Sequence, residues 1–278
     1  MSDHLPKRAG RIELRDVAIH LPGKTRFEAV RHIGTRIEAG EFVSIIGPSG
    51  CGKSTLLNAV AGYLAPSGGS LRVDGEPVAG PGPDRGMVFQ HSSLFPWKTA
   101  LHNVAFGLKM SGIGRGERLE RAAEFLDLVG LKGFADRYPA QLSGGMQQRV
   151  EIARVLINDP RVVLMDEPFG ALDAQTRERM QQLLLEIWGR LKPTVLFVTH
   201  DIDEALILAD RVLVMTHRPG RIREEIAVGL PRPRPADIVV SPEFIALKKR
   251  CLDLVQDEVR KSLIGGLEAA RIELPVEA

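Results

Sequence analysis

The fold class of this chain follows from one glycine-rich stretch, Gly47-Pro48-Ser49-Gly50-Cys51-Gly52-Lys53-Ser54. The stretch fits the pattern G-x-x-x-x-G-K-[ST], and it lies between an apolar strand predicted at 42–46 and a helix predicted at 54–64. In such a loop the glycines let backbone N–H groups turn inward around phosphate oxygens, and the helix N-terminus adds positive partial charge. The pattern therefore predicts a phosphate-binding loop (P-loop).

Each residue of the loop has an expected duty. Lys53 is predicted to neutralise phosphate charge, and the Ser54 hydroxyl is predicted to ligate Mg²⁺. Cys51 occupies a variable position of the pattern, and its place in the loop explains it better than thiol chemistry does. The candidate nucleotide-binding residues of the loop are Gly47, Pro48, Ser49, Gly50, Cys51, Gly52, Lys53, Ser54 and Thr55.

A pair of carboxylates follows a second apolar strand, predicted at 161–165. A P-loop needs a carboxylate partner for the metal, which usually lies at the end of a neighbouring buried strand. Asp166 is therefore predicted to hold Mg²⁺, through water. Glu167, at the edge of the strand and pointing elsewhere, is predicted to polarise the attacking water.

Composition limits the broad class of protein. The 278 residues suffice for one large α/β domain or two smaller ones, and we expect one domain with subdivisions. The chain is 44% hydrophobic and 26% charged with a formal net charge of +2, which favours neither nucleic acid nor anionic lipid as the main partner. Cys51 and Cys251 indicate neither a disulfide framework nor a zinc site, so a reducing compartment fits best. The N-terminal residues lack the apolar region of a secretory signal, and the apolar runs fall below the roughly 18 to 20 residues of a membrane-spanning helix.

Alternating strand and helix patterns predict an α/β core with a helical insert. Strands are predicted at 70–73, 86–90 and 193–199, and helical segments at 99–159 (with interruptions at 112–116 and 130–139) and 176–191. A proline-rich stretch at 231–235 ends the core, and an amphipathic helix is predicted at about 242–263. Its apolar face contains Phe244, Leu247, Cys251, Leu254 and Val255. We expect this face to dock on the protein's own core rather than on a partner.

With these motifs in order, the chain resembles the ATPase subunits of ABC (ATP-binding cassette) transporters over about residues 12–260. Residues 142–149, Leu-Ser-Gly-Gly-Met-Gln-Gln-Arg, look like the family's signature motif, with Met146 in place of the commonest glutamine. Ser143 can cap a helix predicted at about 147–157, and Gly144 and Gly145 allow phosphate to approach its N-terminus. The resemblance implies that this second anion site faces the γ-phosphate bound by another subunit. Two chains would then pair head to tail around two ATP molecules.

Three further positions match family motifs individually. Gln90 matches the Q-loop glutamine, which senses Mg²⁺ and the water, Asp173 matches the D-loop, and His200 matches the switch histidine that contacts the γ-phosphate. The resemblance thus implies ATP and Mg²⁺ as cofactors. The implied catalytic residues are Glu167, His200 and Gln90; the implied metal-binding residues are Ser54, Gln90 and Asp166; and Ser143, Gly144, Gly145 and Asp173 join the nucleotide-binding residues.

The resemblance also implies a fold and its boundaries. We expect a P-loop ABC ATPase core with an antiparallel β subdomain over 12–230, with a helical subdomain at about 91–160. Residues 231–278 are expected to form a proline-rich linker and a C-terminal helical extension. One departure concerns the aromatic residue that usually stacks on adenine about 25 positions before the P-loop. That place holds Leu21, and Phe27 is displaced by several residues, so either residue is a candidate for the adenine contact.

A further resemblance concerns the kind of transporter. The run Leu94-Phe95-Pro96-Trp97-Lys98-Thr99 is similar to a segment common in the nitrate/sulfonate/taurine branch of importer ATPases, as are 80–85, 199–205 and 230–235. Phe95 and Trp97 either form a hydrophobic socket for a permease or pack within the helical insert, and we favour the socket.

The branch resemblance implies partners, a location and a class of cargo. The expected partners are a second, identical ATPase subunit, transmembrane permease subunits and, indirectly, a solute-binding protein, but no nucleic acid. The expected location is peripheral, on the cytoplasmic face of the inner membrane, in a system importing a small anionic nutrient such as nitrate, a sulfonate or taurine. The alternatives are an importer ATPase for another substrate, such as a thiamine precursor, bicarbonate or cyanate, and a soluble ABC ATPase outside transport.

Overall fold

The computed structural model describes residues 10–21, 27–90 and 92–272, without the side chains of 236 and 264–272. In chain order the described elements are β1 (Ile12–Leu21), β2 (Phe27–Ile37), β3 (Phe42–Ile46), α1 (Lys53–Ala61), β4 (Gly68–Val73), β5 (Glu76–Pro77), β6 (Arg85–Val88), α2 (Ala100–Val104), α3 (Phe106–Met110), α4 (Arg115–Leu128), α5 (Gly144–Leu156), β7 (Val162–Asp166), α6 (Ala174–Leu191), β8 (Thr194–Val198), α7 (Ile202–Leu208), β9 (Arg211–Met215), β10 (Ile222–Ala227) and α8 (Pro242–Ile272). Short 3₁₀ turns occupy Pro139–Gln141 and Ala236–Val240.

The central layer is a six-stranded sheet in the order β10-β9-β3-β8-β7-β6. Five of its strands run parallel, and β10 pairs antiparallel with β9. Strands β3 and β8 are buried at every position, which explains their almost wholly apolar sequences: a parallel strand covered on both faces has no solvent side. The predicted α/β class is confirmed.

A second sheet is antiparallel, in the order β2-β1-β4-β5. Its inner face packs with α1 and with one face of the central sheet, in a core that includes Ile12, Ile33 and Val43. This arrangement confirms the predicted antiparallel β subdomain.

Helices α2 to α5 form the predicted helical insert between β6 and β7. Their apolar sides share one core with α6, α7 and the other face of the central sheet. Several predicted boundaries were wrong. Helix α5 begins at Gly144 rather than 147, since the Ser143 hydroxyl already accepts a hydrogen bond from Met146 N at 3.3 Å. Helix α1 ends at Ala61 rather than Leu64, because Gly62 takes the left-handed conformation (φ 86°), and β6 ends at Val88 rather than Gln90.

The C-terminal helix α8 packs on the same core as the insert. Phe244 and Cys251 are fully buried, and Leu247, Leu254 and Val255 pack against the cluster around them. The predicted docking of this face on the protein's own core is confirmed, although the helix continues to Ile272, beyond the predicted end at 263. Across the described ranges, none of the helices combines the length and apolar character needed to cross a membrane.

Candidate nucleotide site

Most of the predicted site residues follow neighbouring parallel strands of the central sheet. Strand β3 leads into Gly47, β8 into His200, β7 into Asp166 and Glu167, and β6 into Gln90. The carboxyl ends of parallel strands meet at one edge of a sheet, which is where open α/β sheets bind their ligands. Four separate stretches of sequence are thus brought to one edge.

The P-loop forms a tight turn that only glycine permits at two positions. Gly47 (φ 155°) and Gly52 (φ 105°) have backbone conformations that L side chains rarely adopt. A Cβ atom on Gly47 would lie 2.9 Å from Met215 O, and one on Gly52 would lie 2.9 Å from Ala29 O. The loop is therefore pressed against β9 and β2, and its amide groups are left to face a ligand.

Lys53 lies buried beneath this turn. Its ammonium group donates to the carbonyl oxygens of Gly47 and Pro48, each at 2.9 Å. A fixed cation behind the loop suits a polyphosphate ligand, because it supplies charge without a side chain that must be ordered on binding. The neighbouring Cys51 side chain is almost completely buried, and burial raises the pKa of its thiol. A protonated, buried thiol is unreactive, which agrees with a purely structural position in the loop.

Ser54 and Asp166 meet directly. The Ser54 hydroxyl donates to Asp166 Oδ1 at 2.9 Å. Burial raises the pKa of Asp166, with a further contribution from the charge of Glu167, while the Ser54 hydrogen bond and Lys53 act in the opposite direction. A hydroxyl and a carboxylate are ligands that Mg²⁺ prefers, and a bound cation would relieve the cost of the buried charge. These residues therefore fit a Mg²⁺ ion next to the phosphate loop.

Glu167 is held by the two other predicted catalytic residues. Gln90 Nε2 donates to Glu167 Oε2 at 3.3 Å, and His200 Nδ1 lies 3.1 Å from the same oxygen. Glu167 has a left-handed backbone (φ 45°), which turns it out of the direction of β7 and away from Asp166. Local backbone strain of this kind is costly for a residue other than glycine, and it often accompanies function. The two adjacent carboxylates thus face different partners.

The signature and D-loop residues lie at the starts of two neighbouring helices. Asp173 caps α6, where its Oδ1 accepts a hydrogen bond from Thr176 N at 3.0 Å, and contacts with Thr176 lower the pKa of its carboxyl group. A Cβ atom on Gly145 would lie 2.7 Å from Thr176 Cγ2, so a glycine is needed where α5 approaches α6. Gly144 has free space around it. Both helix starts lie outside the lining of the P-loop cavity described next.

A cavity of about 260 Å³ opens between the P-loop and the antiparallel sheet, and we call it the P-loop cavity. It is lined by Leu21, Phe27, Ala29, Ser49, Gly50, Gly52, Lys53, Ser54, Thr55, Glu167 and Arg218. Leu21 and Phe27 pair directly across β1 and β2, so both alternatives for the adenine contact lie at this cavity. The displacement of Phe27 in sequence does not carry it away from the site.

Arg218 is a cavity residue that the motifs did not identify. It follows β9, the parallel strand on the other side of β3, and it therefore reaches the same edge of the sheet. Its guanidinium carbon lies 4.8 Å from the centre of the Phe27 ring, and its Nε donates to Gly50 O. Strand β9 itself could have indicated Arg218, because a parallel strand next to the P-loop strand places the residues that follow it at the site.

The loop that contains Phe95 and Trp97 is rigidly built. Asn103, fully buried, accepts from Phe95 N at 2.8 Å and donates to the carbonyl oxygens of Phe95, Lys98 and Thr99. Phe95 packs against Phe106, with 4.6 Å between ring centres, whereas Trp97 remains 71% exposed. The two alternatives given for this pair, a permease socket or packing within the insert, therefore apply to different residues. Phe95 packs within the insert, and Trp97 faces outward.

Known proteins resemble the chain across most of its length. Residues 30–170 match the family model described as ABC transporter. An uncharacterized ABC transporter ATP-binding protein of Methanocaldococcus jannaschii is 54% identical over 86% of this chain and 88% of its own length. The nitrate import ATP-binding protein NrtD of Synechocystis is 49% identical over 88% of this chain and 91% of its own, and the taurine import ATP-binding protein TauB of Roseobacter denitrificans is 44% identical over 90% and 94%.

A solved structure gives the same answer for the fold. The dimeric ATP-binding cassette MJ0796, in a post-hydrolysis state bound to ADP and Pi, superposes with a TM-score of 0.70 and 36% identity, covering 79% of this chain and all of that one. With a P-loop site at the carboxyl edge of a parallel sheet, the chain belongs to the family of ABC transporter ATP-binding proteins. It is an ATPase whose hydrolysis of ATP is coupled to transport.

Proposed function

We propose that this chain is the ATPase subunit of an ABC importer for a small anionic nutrient, with nitrate, an aliphatic sulfonate or taurine as the cargo. The observation that carries the ATPase mechanism is the convergence of Gln90 and His200 on Glu167, beside the Ser54–Asp166 pair. A base, two polar groups that orient it and a P-loop together meet the needs of phosphoryl transfer to water.

In this proposal Glu167 accepts the proton of the attacking water, and its low-exposure position beside the P-loop keeps it aimed at the terminal phosphate. Gln90 orients the water together with Glu167. His200 holds the Glu167 carboxylate through Nδ1 and, with both ring nitrogens protonated, donates through Nε2 to the γ-phosphate as charge develops there. The P-loop amides and Lys53 bind the β- and γ-phosphates.

Mg²⁺ is proposed to bind at Ser54, Asp166 and Gln90. When bound, the ion neutralises charge on the β- and γ-phosphate oxygens. The hydroxyl, carboxylate and amide oxygens of these three residues form the all-oxygen set that the ion prefers.

The proposed active unit is a head-to-tail homodimer. Ser143, Gly144 and Gly145 lie at the capped start of α5 but outside the lining of the P-loop cavity of their own chain. In this proposal another copy provides them to that cavity. Asp173, next to this helix start, is proposed to couple the two sites. The dimeric cassette described above supports this arrangement.

The import function rests on two lines of support. Relatives named for nitrate and taurine import align over 88% and 90% of this chain. Residues 94–99 also match the segment typical of the nitrate/sulfonate/taurine branch. We propose that residues 12–230 form the ABC ATPase domain, with its helical subdomain at about 91–160, and that residues 231–278 form a linker and helical extension. The subunit would bind permease subunits at the cytoplasmic face of the membrane, with an external solute-binding protein as an indirect partner.

The nucleotide site is tested by Lys53→Ala. Removing a buried cation that contacts phosphate should weaken ATP binding by roughly 10- to 100-fold, as expected for one charge-assisted hydrogen bond. Isothermal titration calorimetry with Mg²⁺-ATP measures the change. Lys248→Ala, at an ion pair with Asp203 on the surface of α8, is the matched control and should bind as the wild type does. Equal affinities for all three proteins would contradict the site.

The permease contact is tested by Trp97→Ala. A large apolar side chain that is exposed on a rigid loop should anchor a partner, so its loss should reduce cargo uptake while the ATPase activity of the purified subunit remains. Uptake is measured in a deletion strain supplied in turn with nitrate, taurine and an alkanesulfonate as nutrient. Tyr63→Ala, at another exposed aromatic residue outside this loop, is the control. Unchanged uptake by Trp97→Ala would contradict the contact.

A further inference from the structure

The turn between β9 and β10, residues 216–221, joins three parts of the molecule. Gly220 N donates to Ala29 O and Arg31 N donates to Gly220 O, each at 2.9 Å, so the turn is fastened to β2 by backbone hydrogen bonds. A Cβ atom on Gly220 would lie 2.1 Å from Cys51 O, which places the turn against the P-loop as well. Backbone contacts of this kind leave little room for independent motion.

Arg218 extends from this turn into the P-loop cavity. It stacks on Phe27 and donates through Nε to Gly50 O, and therefore links the aromatic side of the cavity with the phosphate loop. The Phe27 ring is 38% exposed, so part of its surface stays open toward a ligand. A guanidinium group over one face of a ring stabilises the position of the ring and leaves the remaining ring surface available for a stacked base.

The third contact of the turn is with the C-terminal helix. Glu258 of α8 is only 2% exposed, although it is a carboxylate. It accepts from His217 N at 3.1 Å, and its Oε2 lies 3.0 Å from His217 Nδ1. Its other oxygen accepts from Arg223 at 2.6 Å and from Lys261 at 2.9 Å. Burial by itself would raise the pKa of Glu258, but the bonds from His217 and Lys261 prevail and lower it to about 2.

A buried carboxylate with every oxygen occupied fixes the groups around it, since releasing any of them would leave a buried charge without a partner. Glu258 holds residue 217, and the next residue is Arg218. The line of contacts thus runs from α8 through the turn to Phe27 and the P-loop.

We propose that Phe27 and Arg218 form the base end of the P-loop cavity, where Arg218 holds the Phe27 ring on which the base stacks, and that Glu258 is a positioning residue that holds the turn carrying Arg218. The inference rests on the proposed ATP site. It assigns the C-terminal helix a part in nucleotide affinity, and it places base recognition on an Arg–Phe pair in which Arg218 supports the ring.

The test compares two ligands, Mg²⁺-ATP and Mg²⁺-tripolyphosphate, by calorimetry on the full chain. Tripolyphosphate carries the phosphate chain without a base. Arg218→Ala should weaken ATP binding by about 5-fold, as expected for one cation–π contact, and should change tripolyphosphate binding by less than about 2-fold. Arg218→Lys should recover only part of the loss, because an ammonium group lacks the planar guanidinium face.

Glu258→Gln tests the positioning role. It should weaken ATP binding selectively, by about 3-fold, and should add no further loss in the Arg218→Ala background, because the two changes act on one interaction. Lys248→Ala, on the same helix, is the control and should leave both affinities unchanged. If Glu258→Gln does not fold, His217→Ala, at a partly exposed residue, gives the same readout.

Three outcomes overturn the inference. Unchanged or tighter ATP binding by Arg218→Ala removes Arg218 from the base end, and an equal loss for both ligands places it at the phosphates instead. Independent, additive losses in the double variant remove the positioning role of Glu258. A folded wild-type chain that binds neither ligand would instead contradict the proposed ATP site itself.

Discussion

Asp166 and Glu167 illustrate how two adjacent carboxylates acquire different partners. Asp166 ends β7 in the direction of the strand and meets the Ser54 hydroxyl, whereas the left-handed backbone of Glu167 turns its side chain to Gln90 and His200. The position of both residues at the end of one apolar strand, after the P-loop in motif order, predicts a metal ligand at Asp166 and a base at Glu167. The direction of Glu167 depends on its backbone angle, which the sequence alone does not give.

Arg218 and Glu258 show the limit of prediction from the sequence at this level. Neither belongs to a motif, and Glu258 lies 41 positions after its partner His217. Their pairing depends on how α8 packs against the central sheet, and a local pattern contains no such information. The adenine contact stayed open between Leu21 and Phe27 for a related reason: register shifts between β1 and β2 decide which residues face each other, and counting positions from the P-loop cannot detect them.

Glu204 offers a test of pH dependence. Burial raises the pKa of Glu204, although hydrogen bonds from Thr199 and Gln181 oppose the rise. The unfolded chain therefore loses this proton at lower pH than the folded protein does, so the charged side chain costs stability above the unfolded pKa. We expect the free energy of unfolding of the wild type, relative to Glu204→Gln, to fall as the pH rises from 4 to 8.

Urea unfolding across that pH range measures the difference. Glu243→Gln, at an exposed position of α8, is the control and should run parallel to the wild type. A difference between the wild type and Glu204→Gln that stays constant, or that grows in favour of the wild type with rising pH, would contradict the account of this carboxyl.

Among the elements, the strands of the central sheet were the most predictable. Strands β3, β7 and β8 are short, almost continuously apolar runs, as expected for parallel strands covered on both faces. Helix ends were less predictable, since they depend on single caps: Ser143 starts α5 three residues before the predicted position, and Gly62 stops α1 three residues early. The extent of α8 beyond 263 was missed because Gly265 and Gly266, which have low helix propensity, follow soon after that position.

Helix α8 gives a prediction about stability. Phe244 is fully buried in the core that α8 shares with the helical insert, so Phe244→Ala should remove about 3 to 5 kcal/mol from the free energy of unfolding. Chemical denaturation followed by circular dichroism measures it. Leu263→Ala, on the same helix but 64% exposed, should change the value by less than about 0.5 kcal/mol. A small effect at Phe244 would mean that α8 is not part of the folded core.

In the proposed assembly, each nucleotide site needs residues from two chains. The P-loop cavity contains the groups that we propose to bind phosphate and the proposed base Glu167, but the capped start of α5 lies outside its lining. A second copy, paired head to tail, would close each cavity over its nucleotide. Bound ATP should then stabilise the dimer, and hydrolysis of ATP should allow the two chains to dissociate.

Glu167→Gln tests this account most directly. The amide keeps the shape of the side chain but cannot accept a proton, so ATP binding should persist while turnover falls by roughly 10²- to 10⁴-fold. With saturating Mg²⁺-ATP the variant should sediment as a dimer in analytical ultracentrifugation, and adding Lys53→Ala should return it to a monomer. Near-normal hydrolysis by Glu167→Gln, or a monomer with ATP bound, would contradict the account.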